Sequence, residues 1–169
     1  GVSSFCGAAA ALEAEYTLPG ISQSVVITRM AGRTPVPEKE SVRSFAAHQA
    51  TMVLFLSTGL LKELSAELIE GGYNEDTPAA IVYKATWPEQ KVLRCTVGTL
   101  EQTAREADVT KTALIVVGEV LDGTYERSKL YDPTFTTEFR QASCSKKDSG
   151  QTGEDQSTEM RQEAEEQNK

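Results

Sequence analysis

Apolar residues along this chain fall in short unbroken runs, and the stretches between those runs carry helical spacing. SQSVVITR, TMVLFLS and TKTALIVVGEV are runs of β-branched and leucine residues that read as strands buried on both faces. TPAAIVYKA and KVLRCTV are two more strands, and the intervening TWPEQ turn predicts a hairpin. Over residues 58–71, Leu60, Leu61, Leu64, Leu68 and Ile69 share one stripe, which predicts an amphipathic helix ended by Gly71 and Gly72. Residues 38–47 predict a short helix. A further helix over 100–107 has Thr99 as its cap and Glu101 in its first turn. The alanine-rich 5–14 segment predicts a fourth helix, capped by Ser3 or Ser4 and small enough for another backbone to approach closely.

The order is helix, strand, helix, strand, helix, strand, strand, helix, strand. It predicts one α/β domain with a mixed sheet flanked by helices on both faces. Pro19-Gly20 closes the first connection, and Pro35 and Pro37 hold the loop AGRTPVPEKE extended. After Gly123 the chain turns polar. From Ser145 onward Met160 and Ala164 are the only hydrophobic residues, among seven acids and four bases. A folded domain over 1–143 and a disordered or loosely helical acidic tail over 144–169 are expected.

Composition narrows the class of function. The 169 residues are 39% hydrophobic and carry a formal net charge of -8, enough apolar content for a core and the wrong sign for a nucleic-acid partner. No apolar run approaches the roughly 18 residues of a membrane span. Cys6, Cys95 and Cys144 are scattered without metal-ligand spacing, as reduced cytoplasmic thiols are. His48, the lone histidine, sits at a helix-to-strand junction and reads as structural or solvated. Glu63 and Glu67 read as an exposed helix face. No P-loop, no G-x-G-x-x-G fingerprint and no G-x-S-x-G elbow occurs, so neither a catalytic residue nor a metal site is predicted.

Four segments in order, PGISQSVVITRMAGRTPVP, TPAAIVYKATWPEQKVLRCTV, TALIVVGEV and SKLYDPTFTTEFR, resemble the tetrapyrrole methylases of cobalamin biosynthesis. GVSSFCGAAAAL resembles that family's junction between its two domains, which makes 1–16 an interdomain helix. TRMAGRTPVP and SKLYDPTF resemble the branch that methylates C11 of precorrin-4 or its cobalt form. The resemblance implies the C-terminal domain of a two-domain fold, and a homodimer with S-adenosylmethionine held in the cleft between the domains. The family's G-x-G-P-G-D loop does not occur in this sequence. Residue 1 is Gly1 and its segment already reads as a helix start. The expectation is therefore a C-terminal part whose activity needs a missing N-terminal domain.

Matched residue by residue, the resemblance implies that Ser3 and Ser4 lie beside the methionine part of the cofactor. Leu56 then packs near the adenosine. Ala85 lets the adenine approach the backbone, and Ala113 and Leu114 offer main chain to the adenine edge. Outside the resemblance, Leu56, Ala113 and Leu114 would be ordinary core residues. The tetrapyrrole substrate carries many carboxylates, so Arg33 and Lys84 are its expected contacts, Arg33 first because a guanidinium fork matches a carboxylate. Trp87, in ATWPEQ, either lines the cleft or packs a turn, and packing is the reading preferred. Two other readings share these residues: a truncated, non-catalytic module that folds, dimerises or binds a nucleotide, and a sister methylase such as the uroporphyrinogen-III type.

Overall fold

The computed structural model describes residues 1–123 together with 134, 136, 138, 140 and 141. Contacts group the chain into Gly1–Ser128 and Lys129–Lys169, and the architecture below is that of the first group. The tail expected over 144–169, most of the YERSKLYDPTFTTEFR segment and Cys144 lie outside the described residues.

Among the described residues, five strands form one mixed sheet: β1 (Val25–Arg29), β2 (Thr51–Phe55), β3 (Pro78–Tyr83), β4 (Lys91–Thr96) and β5 (Ala113–Val117), in the order β1-β2-β5-β3-β4. β1 and β2 pair in parallel and every other pair is antiparallel. The two parallel strands are joined by a crossover through α2 (Val42–Ala46), as parallel pairing requires. β3 and β4 form the expected hairpin. Pro78, which has no N–H to donate, opens β3, where a strand tolerates it.

The central strands are buried on both faces, which is why their sequences are continuously apolar instead of alternating. Met52, Leu54, Ile81, Ile115 and Val117 point to one layer, where α2, α3 (Leu61–Gly71) and α4 (Leu100–Glu106) cover them. Val53, Ala80, Val82, Leu114 and Val116 point to the other, under α1 (Ser4–Leu12) and the segment through Tyr16 and Leu18. Leu61, Leu64 and Leu68 form the buried face of α3, each worth about 2 kcal/mol of burial.

Local chemistry moves several boundaries. The helix expected over 38–47 is divided: Glu38–Glu40 is a 3-10 turn, and Ser41 then adopts an extended conformation and accepts the Ser44 N–H on its hydroxyl, capping α2. Ser3 occupies the cap position of α1 but makes no capping bond through its side chain. Thr99 does not cap α4 with its side chain. Its hydroxyl instead pairs with Thr96 in a capping box one turn earlier, around Val97–Thr99. His48 is exposed in the turn between α2 and β2. Cys6 and Cys95 are free thiols, and burial pushes Cys95 up to about 11, so its reactive thiolate is scarce at neutral pH.

α2 and α3 meet at Gly71. A Cβ on Gly71 would collide with Ala46 and lie 2.6 Å from the Arg43 carbonyl oxygen, so the helices touch backbone to backbone. Arg43 fastens the same junction from outside, with its guanidinium 2.9 Å from Glu67 and also paired to Glu70. Alanine in a helix normally gains about 1 kcal/mol over glycine. Gly71→Ala is predicted to do the opposite and destabilise the fold by about 2 kcal/mol, the scale of overpacking. The urea unfolding midpoint measures it, and a midpoint that rises would mean the two helices have slack.

Candidate functional site

The sheet opens at one end, where β2 and β3 finish and β5 begins. The ladder between β2 and β5 stops at Leu54 opposite Ile115, although β5 continues to Ala113. Leu56 causes the break. Its φ of 52° is left-handed, so the chain turns away from β5 after Phe55 and leaves the Leu56 side chain 85% exposed. The buried Ser57 fixes this turn, since its hydroxyl donates to the Phe55 carbonyl at 2.8 Å and accepts the Met30 N–H at 2.9 Å.

The consequence falls on Ala113. On the β3 side, Lys84 N–H donates to the Thr112 carbonyl and Gly118 N–H to the Pro78 carbonyl, both at 3.0 Å. Main-chain groups alternate sides along a strand, so Thr112, Leu114 and Gly118 face β3 and Ala113 faces the space that β2 has left. Its carbonyl accepts the Thr58 hydroxyl at 3.3 Å, and no β2 residue is paired opposite it.

This space is a groove of about 410 Å³. Leu56, Thr58 and Gly59 line one side, Lys84, Ala85 and Trp87 another, with Thr110–Leu114 and Ser4 completing it. Four non-glycine residues in left-handed backbone surround it: Leu56 (52°), Lys84 (45°), Thr86 (72°) and Thr112 (59°). Each costs of order 1 kcal/mol, more for the β-branched threonines, and such residues collect where structure serves a site. The loop after β3 is also braced from behind. Gly7 of α1 sits where a Cβ would lie 3.4 Å from the Thr86 methyl group and 3.8 Å from the Ala85 Cβ.

The structure thus brings together Ser4, Leu56, Ala85, Ala113, Leu114 and Lys84 from four separated stretches of sequence. Two expected residues lie elsewhere. Ser3 is exposed and does not line the groove. Arg33 is exposed on the 30–37 loop and makes no hydrogen bond or ion pair with the described residues. Arg29 is the residue that shapes that loop, donating to the carbonyls of Met30, Thr34 and Pro35 at 3.0–3.2 Å. Trp87 corrects the expectation of a packed turn residue: it is 56% exposed and forms part of the groove wall. Thr58, Gly59 and Lys111 also line the groove and were not expected from sequence. A hydroxyl aimed at a strand carbonyl 55 positions away leaves no sequence signal.

Among the described residues no cluster of histidine, cysteine and carboxylate groups could hold a metal ion, and no helix is long and apolar enough to cross a membrane.

The family of tetrapyrrole (corrin/porphyrin) methylases matches residues 1–101, and the chain belongs to that family. A cobalt-precorrin-4 C(11)-methyltransferase of Methanocaldococcus jannaschii is 49% identical over 143 residues, 84% of this chain and 55% of that protein. The X-ray structure of a cobalt precorrin-4 methyltransferase superposes with a TM-score of 0.71 at 48% identity, over 72% of this chain and 51% of that one. A uroporphyrin-III C-methyl transferase from Thermus thermophilus, complexed with S-adenyl homocysteine, shares the fold at a TM-score of 0.57 and 22% identity, over 73% and 52%. The chain spans about half the length of the relatives it matches.

Leu56 adds an exposed side chain to a strained backbone, so stability and site should separate there. Leu56→Gly is predicted to leave thermal stability unchanged or to raise it by up to about 1 kcal/mol, because glycine accepts the left-handed conformation. Calorimetric melting measures this. A drop of several degrees would show that the side chain supports the fold.

Proposed function

We propose that this chain forms one wall of an S-adenosylmethionine site in a C-methyltransferase that acts on C11 of precorrin-4 or its cobalt form. The observation that carries the reading is Ala113. A strand residue that β2 leaves without a partner on one side offers its main chain to a planar heterocycle, next to Ala85, whose small side chain leaves the backbone within reach. Leu56 covers the heterocycle from above and Ser4 faces the amino-acid end of the donor. The C11 branch is favoured over the uroporphyrin type by identity, 48–49% against 31% or less.

When bound, S-adenosylmethionine supplies a sulfonium-activated methyl group. The protein's part is to hold donor and nucleophilic ring carbon in line at roughly 3–3.5 Å and to exclude water. The groove residues suit that work: small and apolar side chains, with main-chain hydrogen bonds for orientation. Arg33 and Lys84 supply local cations for a polycarboxylate substrate on a chain of net charge -8. Turnover is proposed to need the further half that the relatives contain. A cytoplasmic homodimer belongs to the same reading, and a monomeric mass at assay concentration would remove the dimer.

Titration calorimetry of the 169-residue chain with S-adenosylhomocysteine tests the site. Ala85→Leu is predicted to weaken binding at least about ten-fold, or roughly 1.4 kcal/mol, with no change in melting temperature. In the same series Arg33→Ala should weaken binding of uroporphyrin III, a polycarboxylate tetrapyrrole probe, and leave the nucleoside unaffected. If Ala85→Leu binds the nucleoside as the parent does, the adenine site is misplaced.

A further inference from the structure

The loop between β3 and β4 holds a lysine in an unusual manner. Lys84 leaves β3 in left-handed backbone with its side chain 23% exposed. Its ammonium lies 5.4 Å from the ring centre of Tyr83 and 5.2 Å from that of Trp87, within cation–π range of both. Glu89 approaches it at 3.8 Å, close enough to pair in charge but too far for a hydrogen bond. None of the three ammonium donors is hydrogen-bonded to the described residues. The ammonium is therefore fixed in place by two π faces and one carboxylate while its hydrogen-bonding capacity is unused.

The loop that fixes it is rigid. Trp87 N–H donates to the Lys84 carbonyl and Gln90 N–H to the Trp87 carbonyl, each at 3.0 Å, and the Gln90 side chain accepts the Thr86 N–H at 2.7 Å. A second cation presses from the far side: Lys91 lies 6.0 Å from the Tyr83 ring, and its ammonium is already committed to the Ala107 carbonyl at 3.2 Å. Lys111 adds a third at the groove. On an acidic protein this corner has more positive charge than Glu89 balances.

We propose that Lys84, Trp87 and Glu89 form an exchange clasp for a ligand carboxylate. Glu89 holds the ammonium in the empty groove, and an incoming carboxylate displaces it by forming the direct hydrogen bonds that Glu89 does not make. Trp87 acts as a positioning residue that keeps the ammonium at the groove wall during the exchange. This rests on reading the groove as a nucleoside site beside a tetrapyrrole acid. Two carboxylates fit the chemistry, the amino-acid end of the methyl donor and an acid side chain of the substrate.

The clasp makes a prediction that a merely structural ion pair does not: removing the internal competitor should improve binding. Trp87 is the chain's single tryptophan, so its fluorescence reports the groove directly, with calorimetry as the check. The probes are adenosine, S-adenosylhomocysteine and uroporphyrin III. Glu89→Gln in the full chain should bind one of the two carboxylate probes about three-fold more tightly, the scale of a partly exposed ion pair. Adenosine, with no carboxylate, should be unmoved. A gain for S-adenosylhomocysteine assigns the clasp to the donor, and a gain for uroporphyrin III assigns it to the substrate. The gain should vanish in a Lys84→Met background, and a gain that persists there reflects general loss of negative charge and overturns the clasp. Unchanged or weaker binding of both carboxylate probes, with adenosine still bound, overturns the clasp and leaves the nucleoside reading standing. Failure of the parent chain to bind adenosine or S-adenosylhomocysteine removes both.

Discussion

The buried hydroxyl of Ser57 ties together the ends of two strands that are paired to their last residues. It accepts from Met30 at the end of β1 and donates to Phe55 at the end of β2, and so forces Leu56 into left-handed backbone. A sheet gains by pairing every available residue, and Phe55 opposite Leu114, then Leu56 opposite Ala113, would continue the register. The turn forgoes those pairs. What the fold receives in return is a strand residue without a β2 partner, facing a groove with Thr58 bonded to its carbonyl. The groove is thus made by the geometry of one turn, and the side chains around it follow from where the strands then end.

The opposite wall depends on small residues for a different reason. The 84–86 segment carries two left-handed residues and an alanine between them. α1 can brace it because Gly7 leaves only van der Waals distance to Thr86 and Ala85. A larger residue at position 7 would push the loop into the groove from behind, as a larger residue at 85 would fill it from the front. α1 is itself anchored at its far end. Arg94 on β4 donates to the Leu12 carbonyl at 3.0 Å and to the Leu121 carbonyl at 3.2 Å, satisfying acceptors at the ends of two helical segments. Tyr16 holds the near end, donating to the Phe5 carbonyl at 2.8 Å. Burial raises its pKa to about 12, so the hydroxyl keeps its proton throughout the neutral range. The distance from Gly7 to the loop is therefore set at both ends of the helix.

Strand runs, the α3 stripe and the hairpin were legible in the sequence because each is a local pattern of apolar spacing. The strand order was not, since nothing in the β2 or β5 sequences says that β5 inserts between β2 and β3. Helix starts moved because local caps intervened: Ser41 accepts the Ser44 N–H and starts α2 after residue 41, and the Thr99 hydroxyl accepts the Thr96 N–H instead of capping α4. For the groove, resemblance located Ser4, Leu56, Ala85, Ala113 and Leu114. Spacing alone would have left three of them as core. Thr58 and Trp87 escaped because their roles depend on where the chain turns, and exposure of an indole is not written in TWPEQ. Arg29 and Arg33 look equivalent in sequence. The difference is that Arg29 finds three carbonyls within reach and Arg33 finds none.

A recognition site built from main chain carries few sequence motifs, because any side chain that keeps the backbone in place will do. Ala85, Ala113 and Leu114 contribute position and smallness, and neither reads as chemistry. The charged groups follow the opposite logic. A net charge of -8 opposes a polycarboxylate, but salt screens that repulsion beyond about 8 Å at physiological ionic strength. Attraction must then be local, and an ammonium that provides it must be held in place. Two aromatic faces do this better than a carboxylate pair, since a π face attracts a cation without consuming its hydrogen-bond donors. Tyr83 and Trp87 hold Lys84 in that way while leaving it able to bond a newcomer. An acidic protein that binds an acidic ligand needs such a cation, fixed in position with its donors unspent.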